Sequence, residues 1–281
     1  MTGPRGELLA VSDLHVAYAE NRELLDTLRP GSDEDWLLVA GDVGELFADV
    51  ERALRQLSSA FARVVWAPGN HELWTHPRDP IQLRGEQRYL RLVELCRSLG
   101  VLTPEDPYAV FEGVGGPVTV APLFVLYDYS FRGGDTAAAI SAGEALALAR
   151  EAGVVCSDEH FLHPDPCPSR EAWCEQRVAY TERRLAACDP QLPTVLVSHF
   201  PLTRLPLRPL HHPEFSLWCG TERTADWHRT YRAVSVAYGH LHIPRVTEED
   251  GVRFTEVSIG YPREWRRRGL PADPLRKVLA R

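Results

Sequence analysis

The sequence predicts an α/β fold with two stacked β-sheets flanked by helices, and three observations predict it. Short apolar runs recur and each stops at a polar residue; helical periodicities fill the gaps between the first of them; and past residue 100 further strands appear, ending in a hairpin. The runs are "ELLAVSDLH" (7 to 15), "DWLLVAGDV" (35 to 43), "RVVWAPGNHE" (63 to 72), "PTVLVSHF" (193 to 200) and "SVAYGHLH" (235 to 242). Unbroken apolar runs of this length suit strands covered on both faces.

Leu46, Val50, Ala53, Leu57 and Phe61 recur at spacings of three and four, so 45–61 reads as an amphipathic helix between the second and third strands. "RGEQRYLRLVELCRSLG" (84 to 100) reads as another, with Gly100 as its C-terminal cap. Strand, helix, strand with short connections is the pattern of a parallel sheet covered by helices. Further on, "YAVF" and "PVTVAPLFVLY" (117 to 127) read as strands, and "IPRVTEEDGVRFTEVSIG" (243 to 260) as a hairpin turning at Asp250-Gly251. Residues 128–190 break this rhythm with two helices, "TAAAISAGEALALAREAG" (136 to 153) and "SREAWCEQRVAYTERRLAAC" (169 to 188), read as a helical insertion over one rim. With no internal repeat and no Pro-, Gly- or Ser-rich linker, residues 1–281 are expected to form a single domain.

The net charge of −8 argues against general nucleic-acid binding, which needs an extended basic surface. No apolar run reaches membrane-spanning length, and the opening residues lack the pattern of a secretory signal. Six cysteines without a CxxC pair read as reduced thiols, so a cytoplasmic location is expected.

The H-x-H of His240 and His242 puts two imidazoles on one face of a strand end, which by itself is only a polar terminus. Collected with the other strand ends (Asp13 and His15, Asp42, Asn70 and His71, His199), it becomes a constellation. Functional groups of α/β folds gather beyond the carboxyl ends of strands. Counted without His71, three oxygen donors and four imidazoles suit manganese, iron or zinc and are too nitrogen-rich for magnesium or calcium alone. Seven ligands are too many for one ion. Two ions sharing a bridging carboxylate would use them all, a recurrent device for phosphate-ester hydrolysis.

The blocks "DLH" (13 to 15), "GD" (41 to 42), "GNHE" (69 to 72), "SH" (198 to 199) and "GHLH" (239 to 242) stand in the order found in the calcineurin-like metallophosphoesterases, which this sequence resembles. The resemblance implies that family's two-sheet sandwich, with the metals at one edge. It implies that Asp13, His15 and His242 hold the first metal, that Asp42 bridges, and that Asn70, His199 and His240 complete the second. His71 would remain unligated and face the substrate. Chemically, a poor alkoxide leaving group needs a proton, and a positioned acid contributes about 100- to 10,000-fold; His71 is the candidate. Glu45 either hydrogen-bonds His71 and keeps it protonated or is a solvated residue at a helix start. Gly41 and Gly69 permit tight turns close to the metals.

Longer segments, "VLYDYSF" (125 to 131), "EFSLWCGT" (214 to 221), "TADWH" (224 to 228), "GHLHIPR" (239 to 245) and "GYPREWRRR" (260 to 268), are similar to the actinobacterial phosphopantetheine hydrolases. That resemblance implies iron and manganese as metals, with zinc possible. It implies holo acyl carrier protein as substrate, with 4'-phosphopantetheine and apo carrier as products. The alternative is a nucleotide, cyclic nucleotides included, or another small phosphoester, since the metal ligands recognise phosphate and not what is attached. Arg263, Arg266, Arg267, Arg268, Arg204 and Arg208 are either patches for an acidic carrier or a solvated arginine-rich surface. Tyr127, Tyr129 and Arg132 either line the pocket or are core tyrosines and a surface arginine. Cys156, His160, His163 and Cys167 match no usual zinc-ligand spacing.

Overall fold

The computed structural model describes residues 6–132, 140–269 and 274–279. The first strands are β1 (Leu8–Val11), β2 (Trp36–Ala40) and β3 (Arg63–Ala67), joined across α1 (Ala19–Leu25) and α2 (Phe47–Ala60). They pair in parallel, with Leu8 opposite Trp36 and Leu37 opposite Val64. Next come α3 (Asn70–Leu73), α4 (Gly85–Ser98), β4 (Ala109–Phe111) and β5 (Val118–Pro122). Between β5 and β6 (Thr194–Val197) lie α5 (Ala142–Glu151), α6 (Asp158–Phe161) and α7 (Arg170–Ala186). The chain closes with α8 (Trp227–Thr230), β7 (Ala233–Tyr238), β8 (Val246–Glu249), β9 (Val252–Glu256), α9 (Pro262–Arg268) and β10 (Arg276–Lys277). One sheet has the order β10-β1-β2-β3 and the other β4-β5-β6-β7-β9-β8.

Alternation along the strands decides which side chain meets which layer. Leu8, Ala10, Leu38, Ala40 and Val65 point inward and pack with Val118, Val120, Val195, Val197 and Ala237 of the other sheet. Their neighbours Leu9, Val11, Leu37, Val39 and Val64 point outward, into one cluster with Val50, Ala53, Leu54 and Leu57 of α2. Both faces are therefore covered, which is why the sequence shows continuous apolar runs instead of alternating polarity. Five such runs were visible, but they do not share one sheet: β1, β2 and β3 belong to the first, β6 and β7 to the second.

The two sheets are stitched together at one edge. Ser12 donates from its backbone to Val257 at 3.1 Å and accepts from Ile259 at 3.0 Å, and Gly260 donates to the Asp13 carbonyl at 3.0 Å. The hairpin turns at Asp250 and Gly251, with φ of 53° and 76°, the left-handed pair that a tight two-residue turn requires.

Two elements differ from expectation. The strand read over 117–127 ends at Pro122, which has no N–H for the ladder; beyond it Leu123 still donates to Val197, but Phe124 packs edge-on against Trp173 of α7. The alanine-rich helix begins only at Ala142, because Ser141 caps it by accepting from the Glu144 amide at 3.2 Å; residues 136–139 of that reading lie outside the described residues. Among the described residues no helix is long and apolar enough to cross a membrane.

Candidate metal centre

The stitched edge is where the strand-end side chains meet. Asp13 and His15 follow β1, Asp42 follows β2, Asn70 and His71 open α3, His199 follows β6, and His240 and His242 follow β7. Asp13, His15, Asp42, His240 and His242 all have left-handed backbones, with φ of 53°, 41°, 54°, 73° and 54°. Such kinks let the chain leave the strand and turn these side chains into one space. Glycine is required where two of the loops touch: a Cβ on Gly41 would lie 2.5 Å from the Gly69 nitrogen, and one on Gly69 would lie 2.1 Å from Asp42 Oδ1. Glu72 fixes this junction from beneath, accepting from the backbone amides of Asp42 (3.0 Å), Val43 (2.9 Å) and Gly69 (3.1 Å).

Three groups of donor atoms, each within 4.8 Å of one another, result: Asp13, His15 and His242; His15, Asp42 and His71; and Asp42, His199 and His240. Asp42 belongs to two of them and stands between the others.

The hydrogen bonds show which way the lone pairs point. His199 Nδ1 lies 2.9 Å from the Ala40 carbonyl, which only accepts, so Nδ1 carries a proton and Nε2 faces inward. Asn70 spends its amide on Asp158, so its Oδ1 turns toward His199 Nε2 at 3.0 Å. His240 Nδ1 is also 3.2 Å from that nitrogen, while its buried Nε2 has no partner. On the other side His242 Nδ1 meets Glu264 Oε2 at 2.7 Å, leaving Nε2 facing Asp13 Oδ1 at 3.0 Å and His15 Nε2 at 3.2 Å. Acceptors crowded against acceptors repel one another unless a cation lies among them, so the donor set fits metal ions.

Without cations, protons relieve the same crowding. Burial disfavours charge on His199 and His242, yet Asp42 beside the first and Asp13 and Glu264 beside the second raise both to about 10. Burial and the charge of His199 push His240 down to about 3. Burial would raise Asp13, but His242 brings it to about 2, and Asp42 is likewise held well below the carboxylate range by His199 and His71. Metal-ligating imidazoles are neutral, so cations would displace the protons that these carboxylates otherwise keep on His199 and His242.

His71 stands apart from the Asn70 side. Its Nδ1 is 3.0 Å from Glu45 Oε1, Nε2 is 3.7 Å from Asp42 Oδ2, and its ring stacks on Trp74 with centroids 3.7 Å apart. Burial disfavours its charged form, but Asp42 and Glu45 outweigh burial and raise its pKa. Of the two readings of Glu45, a hydrogen bond to His71 or a solvated residue at a helix start, the first is the one observed. A cleft of about 510 Å³ opens over this arrangement, walled by Trp74, Val155, Phe215, Leu241, Tyr261 and Arg263. Tyr261 stacks on His15 at 4.4 Å and meets His242 edge-on at 4.8 Å.

All eight strand-end residues singled out in the sequence come together here. Other readings resolve differently. Tyr127 and Tyr129 are buried in the core, Tyr129 bonding Glu159 at 2.9 Å, so they do not line the cleft. Arg204 pairs with Glu222 and donates to the carbonyls of Ser130 and Arg132, and Arg266 pairs with Glu20, whereas Arg263 borders the cleft. Cys156, His160, His163 and Cys167 form no metal-capable group among the described residues. Sequence reasoning missed Glu72, Trp74, Asp158, Tyr261 and Glu264. Glu72 stood in a quoted block and Tyr261 and Glu264 in a quoted segment, but nothing in their spacing marked them as partners.

Residues 7–244 match the calcineurin-like phosphoesterase family, and the chain belongs to it, an enzyme that hydrolyses phosphoric esters with metal ions. It is 53% identical over 277 residues to the acyl-carrier-protein phosphodiesterase PptH of Mycobacterium tuberculosis, a match covering 99% of this chain and 84% of that protein. The crystal structure of the phosphopantetheinyl hydrolase PptH from that organism superposes with a TM-score of 0.96, at 53% identity, covering 100% of this chain and 98% of that one.

Proposed function

We propose that this chain is a binuclear-metal phosphodiesterase that removes the 4'-phosphopantetheine arm from holo acyl carrier protein, leaving apo carrier and free 4'-phosphopantetheine. One observation carries the substrate: 53% identity spread over 99% of the chain to a protein named for acting on acyl carrier protein. Asp13, His15 and His242 would hold one ion and Asn70, His199 and His240 the other, with Asp42 shared between the two groups. Iron and manganese suit this nitrogen and oxygen donor set. When bound, such a pair lowers the pKa of a water and neutralises charge on phosphate oxygens.

The protein's own residues do the rest. As the water oxygen bonds to phosphorus and the bond from phosphorus to the serine oxygen breaks, that oxygen needs a proton. His71 supplies it from Nε2, with Nδ1 held by Glu45 and one ring face covered by Trp74. The apolar wall of Trp74, Val155, Phe215 and Leu241 offers a surface to the carbon chain of the arm. All six cysteines are free thiols, which fits the reducing cytoplasm where we place the enzyme.

The test is to incubate metal-loaded protein with holo carrier and follow carrier mass by spectrometry. The carrier is expected to lose the mass of the phosphopantetheinyl group. Unchanged carrier mass together with brisk turnover of a cyclic nucleotide would replace this substrate with the nucleotide alternative.

A further inference from the structure

We propose that Asp158 is a positioning residue through which the segment between β5 and β6 sets the Asn70 amide toward the metal site and the Trp74 indole over His71. The proposal rests on the assignment of Asn70 as a ligand made above.

Asp158 opens α6 and is fully buried, and its side chain reaches across 88 positions of sequence to the GNHE loop. Its Oδ1 accepts from Asn70 Nδ2 at 2.8 Å and from Trp74 Nε1 at 2.6 Å. A primary amide can sit either way round, and only its oxygen can bind a cation. A carboxylate accepts and cannot donate, so it selects the amide orientation in which Nδ2 faces α6 and Oδ1 faces His199 Nε2. The same oxygen fixes the tilt of the indole that stacks on His71 at 3.7 Å. One atom thus orients a ligand on one side of the site and the neighbour of the proton donor on the other.

Asp158 is itself held from behind. Arg170 of α7 donates from Nη2 to the Asp158 carbonyl at 2.7 Å, from Nε to the Leu162 carbonyl at 3.0 Å, and from Nη1 to Glu159 at 3.1 Å and Tyr129 at 3.1 Å. Trp218 adds a bond to Glu159 at 2.9 Å. The Tyr127 hydroxyl also bonds this carboxylate and favours its charged form against burial, which raises its pKa.

The experiment compares wild type with Asp158→Leu, Asp158→Asn, Asn70→Leu and the Asp158→Leu/Asn70→Leu double variant. Manganese is titrated into each metal-free protein, metal per chain is measured, and thermal melting reports folding. Asp158→Leu is expected to weaken the second manganese by about 10- to 100-fold, the usual effect of removing a group that orients a ligand. Asp158→Asn keeps an acceptor at the same place and is expected to restore that affinity to within a few-fold. The double variant should be no worse than Asn70→Leu, because both changes act through one ligand. Should Asp158→Leu lose cooperative melting, Asp158→Ser takes its place, with the same expected loss. Two manganese ions bound with wild-type affinity by Asp158→Leu or Asp158→Ser would overturn the proposal while leaving the metal site intact. A wild type that binds fewer than two would overturn the ligand assignment itself, and this proposal with it.

Discussion

Where β1 and β2 face the second sheet, Leu8, Ala10, Leu38 and Ala40 lie among side chains of their own kind. A few residues further on, the same strands lead into Asp13, His15 and Asp42, which are equally buried but polar. The interior is regular: parallel pairing in register, apolar contacts on both faces, and extended backbone. The edge is the reverse. Five of the eight described residues other than glycine with positive φ are site residues there, each a conformation costing of order 1–3 kcal/mol. One of its imidazoles, His240, keeps a buried nitrogen without a hydrogen bond, and His15 Nδ1 meets only Glu45 Oε1, at 3.6 Å. The difference teaches that the sandwich supplies stability and the edge consumes some of it, holding a cluster of acceptors whose arrangement makes sense around cations.

That division should break cleanly under mutation. The largest effect is expected from Asp42→Ala, which removes the group shared by both sides: turnover of holo carrier should fall below detection and metal per chain should drop, as read by carrier mass and elemental analysis. Next comes His71→Ala, with turnover lowered about 100- to 10,000-fold while both metals stay bound. Full activity in that variant would remove His71 as the acid. Leu38→Ala probes the other region. It should cost about 2–5 kcal/mol of folding stability in denaturant titrations while leaving metal content and KM unchanged. A loss of metal in Leu38→Ala would show that the two regions are not separable.

Much of this division could be read in advance, for identifiable reasons. A polar residue ending an apolar run is visible in one line of sequence, so Asp13, Asp42, Asn70, His199 and His240 could be found and their meeting inferred. The helix over α2 followed from spacing, and the hairpin from Asp250-Gly251. Partnerships between distant, irregular segments leave no such trace. Glu264 serves His242 from the start of α9, and Asp158 serves Asn70 from α6, at positions that no periodicity selects. The allocation of β6 and β7 to the second sheet was equally hidden, since a buried parallel strand looks the same in either sheet.

The smallest effect concerns a carboxylate that belongs to the packing and not to the site. Glu105 accepts from Tyr89 of α4 at 2.8 Å and from Arg177 and Tyr180 of α7 at 2.7 and 2.5 Å. Burial would raise its pKa, but Arg177 and the two hydroxyls lower it from 4.5. A depressed folded pKa means stability that is present above the unfolded value and lost as pH falls through the lower folded value. Glu105→Gln should therefore cost about 1 kcal/mol at neutral pH, and the difference from wild type should shrink below about pH 4. A difference independent of pH would mean that the charge of Glu105 contributes nothing.

The central claim is that these strand ends enclose a pair of ions, and anomalous diffraction from crystals of the metal-loaded protein tests it most directly. Two peaks roughly 3.5–4 Å apart are predicted, with Asp42 touching both, Asp13, His15 and His242 around one, and Asn70, His199 and His240 around the other. A single peak, or peaks lying away from Asp42, would contradict it.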